Sequence, residues 1–182
     1  MIYTSRHGAI SEICCLKTYA ISGNRGKDAN YHGLCYPALA PKKEFWKVWH
    51  DNIGVISQEK NNRYYIREYW NQVLIYLDPK EVFKELDGSV LLCYEPNTEF
   101  CHRHIVSAWF ELLLGVSVPE IKVTRRGKIY RLSRPEYIKE YLYNEIFRIH
   151  PMLPRKYNMW ERAKLRKFEA ELFKSENVSL NI

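Results

Sequence analysis

Residues 88–115 read GSVLLCYEPNTEFCHRHIVSAWFELLLG, and this stretch carries most of the information about how the chain folds. It opens with a short apolar run, VLLC, bounded by Gly88 and Pro96. A run of this length between turn residues is typical of a strand buried on both faces, as in a parallel sheet. After a polar turn, apolar residues recur every three or four positions from Ile105 and stop at Gly115, which predicts a helix. The stretch is therefore predicted to be a strand–turn–helix unit of an α/β fold.

The rest of the first two thirds of the chain is consistent with this unit. Short β-type runs and helical patterns alternate before it, which favours a mostly parallel central sheet. The predicted strands are residues 2–5, 16–22 and 34–36, and the predicted helices begin at Pro41 and span about 61–77 and 79–86. A loop rich in glycine and asparagine, residues 23–33, follows the second strand, and loops of this length are often functional.

The net charge of +7 is unevenly distributed along the chain. Residues 1–121 hold 13 Lys and Arg against 14 Asp and Glu, whereas residues 122–182 hold 15 against 7. We therefore predict an α/β core domain followed by a basic C-terminal extension packed on it. The extension is expected to contain a hairpin around Gly127 and two helices, at about 135–149 and 156–174.

The basic extension predicts a polyanionic partner, and nucleic acid or a nucleotide is the expected one. A basic hairpin with an interleaved aromatic residue can contact phosphates and stack on a base. The hairpin residues expected to bind nucleic acid are Arg125, Arg126, Lys128 and Arg131. The alternative is a solvated basic surface without such a partner.

Composition excludes several other classes of protein. A hydrophobic content of 46% argues against disorder. No apolar run reaches the roughly 20 residues that span a bilayer, so no membrane partner is expected. The N-terminal residues have no signal-peptide pattern, and the five cysteines are an odd number without the spacing of a disulfide framework. These features predict reduced thiols in a cytoplasmic protein.

The strand–turn–helix unit also places reactive groups where α/β folds bind ligands, beyond the carboxyl ends of the strands. Cys93 ends the apolar run, Glu95 follows it, and Cys101 and His102 open the helix; all four are predicted catalytic residues. Cys101 at a helix N-terminus is predicted to be a thiolate nucleophile or a redox thiol. Glu95 or His102 is predicted to move a proton. The alternatives are a buried cysteine near the helix cap and an ordinary loop acid.

Arginines near the strand ends predict an anion-binding function. Arg103, in the first helical turn, is placed to bind a phosphate or carboxylate. Arg6 and Arg25 could join it from neighbouring strand ends. The alternative for Arg103 is a salt bridge to Glu95 or Glu99.

A metal site is not expected from the spacing of the soft ligands. Cysteine and histidine side chains cluster in and around the strand–turn–helix unit, at Cys93, Cys101, His102 and His104. Structural zinc sites usually pair their ligands at short spacing, as in two Cys-x-x-Cys motifs. This cluster lacks that spacing, and so does the adjacent pair Cys14 and Cys15. No metal and no other cofactor is therefore predicted.

Several of these segments together resemble a known family. The segments YPALAPKKEFWKVWHDN, RYYIREYWNQVL, VLLCYEP and CHRHIVSAWF are similar to the domain-of-unknown-function 488 (DUF488) family, including its YeaO-like members. The resemblance covers about residues 1–118, and its most specific part is a strand ending in Cys-x-Glu before a Cys-His-Arg helix start. It implies a three-layer α/β fold with a shared polar pocket, and it implies no established activity.

The functional hypothesis is an enzyme that acts on a nucleotide or nucleic acid. Two alternatives remain open. One is a non-catalytic nucleic-acid-binding protein, such as a regulator or inhibitor, that uses its basic C-terminal surface. The other is a homo-oligomer whose interface is formed by exposed aromatic residues, namely Trp46, Trp49 and Trp160.

Overall fold

A computed structural model describes residues 1–10 and 16–147 of the chain. Six strands form one sheet: β1 (Tyr3–Arg6), β2 (Lys17–Ala20), β3 (Leu34–Cys35), β4 (Ser89–Cys93), β5 (Glu120–Val123) and β6 (Ile129–Leu132). Their order is β3-β2-β4-β1-β5-β6. All neighbouring pairs are parallel except β5 and β6, which are antiparallel. The sheet is therefore mixed but mostly parallel, as predicted.

In the described part of the chain, five α-helices accompany the sheet: α1 (Lys43–Asp51), α2 (Gln58–Gln72), α3 (Pro79–Glu85), α4 (His102–Leu114) and α5 (Tyr137–Phe147). Three short 3-10 turns also occur, at Lys27–Ala29, Pro37–Leu39 and Leu74–Tyr76. This arrangement confirms the predicted three-layer α/β fold. Within the described residues, no helix has the length and apolar character needed to cross a membrane.

β4 lies in the interior of the sheet, between β2 and β1, and all of its residues are buried. Leu91 packs into the larger apolar cluster, which contains the helices, whereas Val90 and Leu92 pack into a second cluster. Successive side chains of a strand point to opposite faces of the sheet. Both faces of β4 are therefore covered, which is why its sequence is a continuous apolar run.

Three predicted helix boundaries, in two helices, were wrong. α1 begins at Lys43, and Pro41 lies in the preceding loop. α2 begins at Gln58, earlier than predicted, because the Ser57 hydroxyl accepts a hydrogen bond from the Lys60 N–H and caps the helix. It also ends earlier than predicted, because a 3-10 turn follows it.

α4 follows the predicted pattern and ends where predicted. Its large apolar side chains Trp109 and Phe110 are fully buried. Gly115 ends the helix with a left-handed backbone (φ 69°), and its N–H donates to the Glu111 carbonyl at 3.2 Å. That conformation favours glycine because a side chain would be strained there.

The described part of the basic extension is continuous with the core. β5 and β6 form the predicted hairpin within the main sheet, so the predicted boundary after residue 121 falls inside β5. α5 packs against α2 and α4. Its buried residues are Ile138, Leu142 and Ile146. The helix predicted at 156–174, together with Trp160, Cys14 and Cys15, lies outside the described residues.

One partly buried acid, Glu111, joins α4 to the segment before α5. The Glu111 carboxylate contacts Arg134 Nη2 at 2.6 Å and Lys139 Nζ at 3.0 Å, and it accepts the Val118 N–H at 3.2 Å. Burial alone would raise the pKa of Glu111, but these three partners outweigh burial and lower it. Glu111 therefore stabilises the fold as a carboxylate.

Replacing Glu111 with glutamine is expected to lower the free energy of unfolding by about 1–3 kcal/mol near neutral pH, through the lost charge-assisted hydrogen bonds. The folded-state pKa lies below the ordinary value of 4.5, so the contribution is complete above that value and is lost as pH falls through the lowered pKa. Urea denaturation near neutral pH and at acid pH measures both effects. Glu140→Gln, an exposed acid on α5, is the control. Equal losses in both variants would contradict the prediction.

Candidate functional site

The site is built where β4 ends and α4 begins. Cys93 is the last residue of β4, and Cys101 is the N-cap residue of α4. Cys101 has an extended backbone (φ −153°, ψ 145°), and its thiol does not cap the free N–H groups of the helix. The seven residues between them form the loop that returns the chain to the same edge of the sheet. The two thiols are therefore at the edge where parallel sheets bind ligands.

Cys93, Cys101 and His102 form a buried group, called here the cysteine–histidine cluster. One ligand atom from each lies within 4.8 Å of the others. Cys93 Sγ is 3.6 Å from His102 Nδ1 and 3.4 Å from a carboxylate oxygen of Glu95. Each cysteine is only 2% exposed. The structure thus brings together the four residues for which the sequence predicted a catalytic role.

The imidazole of His102 is held by β2 and its extension. His102 Nε2 is 3.0 Å from the carbonyl oxygen of Ile21, which can only accept a hydrogen bond. Nε2 therefore carries a hydrogen, and Nδ1 faces the sulfur atoms. Burial alone would lower the pKa of His102, but the neighbouring Cys101 and Glu95 outweigh burial and raise it.

The two thiols differ in their ionisation. Burial, and then the interaction with Cys101, raises the pKa of Cys93 well above its ordinary value. Burial would also raise the pKa of Cys101, but its interaction with Cys93 and the charges of Arg103 and His102 lower it well below that value. Cys101 is therefore the thiol of the pair that ionises first.

Glu95 stands beside this pair as a weak acid. Burial is the main cause, and the Cys101 sulfur adds to it, so that the pKa of Glu95 rises to about 7. A carboxyl group in that range can give up or accept a proton near neutral pH.

The cysteine–histidine cluster and Glu95 line a cavity of about 420 Å³, a size that accommodates a small ligand. Much of the remaining lining is aromatic, with polar groups supplied mainly by the loop after β2. The aromatic residues are Trp46, Trp49, Tyr65, Tyr94 and Phe100. The polar residues are Ser22, Asn24, Asp28 and Lys43.

These lining residues were not predicted as site residues, although the loop after β2 was noted as a candidate for function. Tyr94 joins that loop to the one after β4, because its hydroxyl hydrogen-bonds to Asn24 and accepts the Asp28 N–H at 3.3 Å. Trp49, predicted at an oligomer interface, is partly buried and lies 5.5 Å from Phe100, ring centre to ring centre. The length of the loop and its glycine and asparagine content were the signal that pointed to it.

Arg103 is fully buried and does not line this cavity. Its Nε is 3.2 Å and its Nη2 3.1 Å from Oε1 of Glu120, on β5. The salt-bridge partner is therefore neither of the acids considered from the sequence, Glu95 and Glu99. The anion-binding function of Arg103 stays a prediction.

The other two predicted anion-binding arginines also lie outside this cavity. Arg6, at the end of β1, lines a neighbouring cavity of about 350 Å³ together with Lys122 and Glu120. Arg25 is exposed in the loop after β2 and has a left-handed backbone (φ 60°). Their anion-binding function likewise stays a prediction.

The turn of the basic hairpin lies at the same edge of the sheet as the cavity, whereas Arg131 lies within β6, opposite Ile121 of β5. Arg125, Arg126 and Lys128 are exposed in the turn between β5 and β6, and Arg131 is exposed on β6. β5 is parallel to β1, and β1 is parallel to β4, so the ends of all three strands meet at one edge. With strands about 4.8 Å apart, β5 lies about 10 Å from β4.

The comparisons with known proteins agree with the resemblance seen in the sequence. The family model described as the active DUF488-N3 subclade, DUF488-N3a, matches residues 3–113. This is more than half of the 182-residue chain. No curated protein and no solved structure matches it. The protein belongs to the DUF488 family, within which it matches the active N3 subclade.

Proposed function

We propose that the protein is an enzyme that acts on a nucleotide or on a base of nucleic acid. The substrate ring enters the 420 Å³ cavity, where the cysteine–histidine cluster and Glu95 carry the chemistry. The observation that supports this most directly is the convergence of two thiols, an imidazole and a carboxyl group on one wall of a ligand-sized cavity. Clusters of this kind are typical of active sites.

The lining of the cavity favours a planar ring with hydrogen-bond donors. Aromatic side chains offer stacking surfaces to such a ring. Asn24, Asp28 and Glu95 offer oxygen acceptors, which suit the N–H groups of a nucleobase. The carboxylates of Asp28 and Glu95 would repel a phosphate inside the cavity. The base of the substrate, rather than its phosphate, is therefore the part that enters.

In this proposal the basic hairpin binds the phosphates of the substrate, and the cavity binds the base. Its exposed Arg125, Arg126 and Lys128 lie at the same edge of the sheet as the cavity. Cations near the cavity would bind the phosphates of a nucleotide or strand whose base is inside. The family description, which calls the subclade active, is a further reason to favour catalysis over binding alone.

Replacing Trp46 with alanine is expected to weaken binding of nucleotides or single-stranded oligonucleotides by about 5- to 150-fold, the loss of one stacking contact. Trp46 lines the cavity and is 42% exposed, so its removal should leave the fold intact. Fluorescence titration with a panel of nucleotides and oligonucleotides measures the affinity. Tyr143→Ala is the matched control, because Tyr143 is an exposed aromatic on α5 that does not line the cavity.

The results of these binding and turnover measurements distinguish the proposed enzyme from the non-catalytic nucleic-acid-binding protein. Product formation from any bound nucleotide, detected by mass spectrometry and lost in Cys101→Ser, supports the enzyme. Salt-dependent binding that survives Trp46→Ala and Cys101→Ser but is lost in Arg125→Ala/Arg126→Ala selects the non-catalytic nucleic-acid-binding protein. No binding of any member of the panel rejects the proposal.

A further inference from the structure

We propose that the cysteine–histidine cluster binds one Zn²⁺ ion. Cys93, Cys101 and His102 supply three ligands, and the fourth coordination position opens on the cavity beside Glu95. This inference deepens the proposed function by naming the cofactor of the same site, although binding of the metal itself does not depend on the substrate.

The set of donor atoms is one that zinc prefers. Two thiolates and one imidazole, with a fourth position left for water or substrate, is a ligand set found in catalytic zinc sites. Two thiolates also neutralise the charge of the ion, so the complex can remain in the buried site where both sulfurs are 2% exposed. Neither calcium nor magnesium would choose these ligands, because both prefer oxygen.

The distances suit a tetrahedral ion. Zinc–sulfur bonds of about 2.3 Å and zinc–nitrogen bonds of about 2.0–2.1 Å place the sulfur and nitrogen about 3.6 Å apart in a tetrahedral complex. Cys93 Sγ and His102 Nδ1 are 3.6 Å apart. The three donor atoms all lie within 4.8 Å of one another. Two sulfurs bound to one zinc ion are expected to lie about 3.8 Å apart. Side-chain movements of about 1 Å would bring the donor atoms from their present separations to such distances.

A hydrogen bond to the Ile21 carbonyl orients the imidazole of His102 for zinc binding. A metal-binding histidine usually donates its second ring N–H to a carbonyl or carboxylate, which fixes the ring and exposes the other nitrogen. His102 makes that contact through Nε2, at 3.0 Å from the Ile21 carbonyl oxygen. Nδ1 is therefore the nitrogen available to the ion, and it is the one that faces Cys93.

The topology explains why the spacing of these ligands looks unlike a zinc motif. Short-spaced cysteine pairs form when both ligands come from one turn. Here Cys93 ends β4, and Cys101 and His102 begin α4, so the crossing from strand to helix brings the ligands together. An ion held there would present its open position to the cavity, and it could act there as a Lewis acid.

Titration of the reduced, chelator-treated full-length protein with Co²⁺ and then Zn²⁺ tests this inference. One equivalent of Co²⁺ should produce thiolate-to-cobalt charge-transfer absorption and the intense visible bands of tetrahedral cobalt, and Zn²⁺ should displace it. Cys93→Ser, Cys101→Ser and His102→Gln should each weaken zinc binding by at least about 10- to 100-fold. Cys35→Ser is the matched control and should bind like wild type.

A second measurement uses only the wild-type protein, so its result does not depend on whether the variants fold. Zinc should protect Cys93 and Cys101, but not Cys35, from alkylation, as mapped by peptide mass spectrometry. Absence of the charge-transfer absorption, alkylation of Cys101 that zinc does not slow, or a Cys93–Cys101 disulfide formed in preference to metal binding would overturn the inference. Zinc binding without nucleotide binding rejects only the proposed substrate, whereas nucleotide turnover by zinc-free protein rejects only a role of the metal in catalysis.

Discussion

Replacing Glu120 with glutamine should lower the free energy of unfolding by about 3–5 kcal/mol, because it removes the carboxylate that pairs with the buried guanidinium of Arg103. Arg103 is 0% exposed and Glu120 is 2% exposed. The carboxylate contacts Arg103 through Nε and Nη2, and it also accepts the Thr4 hydroxyl at 2.7 Å. Nη1 of Arg103 has no hydrogen-bond partner among the described residues. Glu120 is therefore the main compensation for a charge that water cannot reach.

Urea denaturation followed by circular dichroism measures this loss. Glu136→Gln, an exposed acid before α5, is the control and should change the stability by less than about 0.5 kcal/mol. The double variant Arg103→Met/Glu120→Gln should recover much of the loss, because a buried ion pair replaced as a unit leaves no unpaired charge. A single variant as stable as wild type, or a double variant no better than the single, would show that the pair does not neutralise Arg103.

The salt-bridge partner of Arg103 could not be predicted from the sequence. Glu95 and Glu99 were considered because they lie within eight residues of Arg103 along the chain. The actual partner, Glu120, lies 17 residues away on β5, which pairs with β1. Only the order of the strands places β5 beside the first turn of α4, and that order leaves no local pattern in the sequence.

The central elements of the fold were predictable because their signals are local. The apolar run that forms β4 and the helical spacing that forms α4 each lie within one short segment, so tertiary context did not have to be known. Helix starts were less reliable. The Ser57 cap sets the start of α2, whereas Pro41, a residue common in first turns, lies before α1 instead.

The site was predictable in part for the same reason. Cys93, Glu95, Cys101 and His102 lie within ten residues of each other, and a strand followed by a helix brings such residues to one edge. The aromatic lining was not predictable. Trp46 comes from α1, which is far from β4 in sequence, and its helical spacing is equally typical of core packing. The aromatic lining, on which the stacking of the proposed substrate depends, therefore became apparent only from the structure of the cavity.

Replacing Glu95 with glutamine is expected to lower kcat on the proposed nucleotide substrate by about 10²- to 10⁴-fold, the usual effect of removing a general acid or base. Glu95 lines the cavity, and its carboxylate oxygen is 3.4 Å from Cys93 Sγ. Glutamine keeps the shape and the hydrogen-bonding capacity of the side chain but cannot transfer a proton. The affinity for nucleotide should therefore change much less than kcat.

Single-turnover rates and fluorescence titrations on the same protein separate these two effects of the Glu95 substitution. Glu99→Gln is the matched control, because Glu99 is an exposed acid in the same loop that does not line the cavity. Zinc affinity provides a second control, since Glu95→Gln leaves the three proposed ligands in place and should still bind one equivalent. Equal kcat losses in the two variants would point to a general effect of loop charge. A Glu95→Gln protein with wild-type kcat would remove Glu95 from the chemistry and leave proton transfer to another group of the cavity wall.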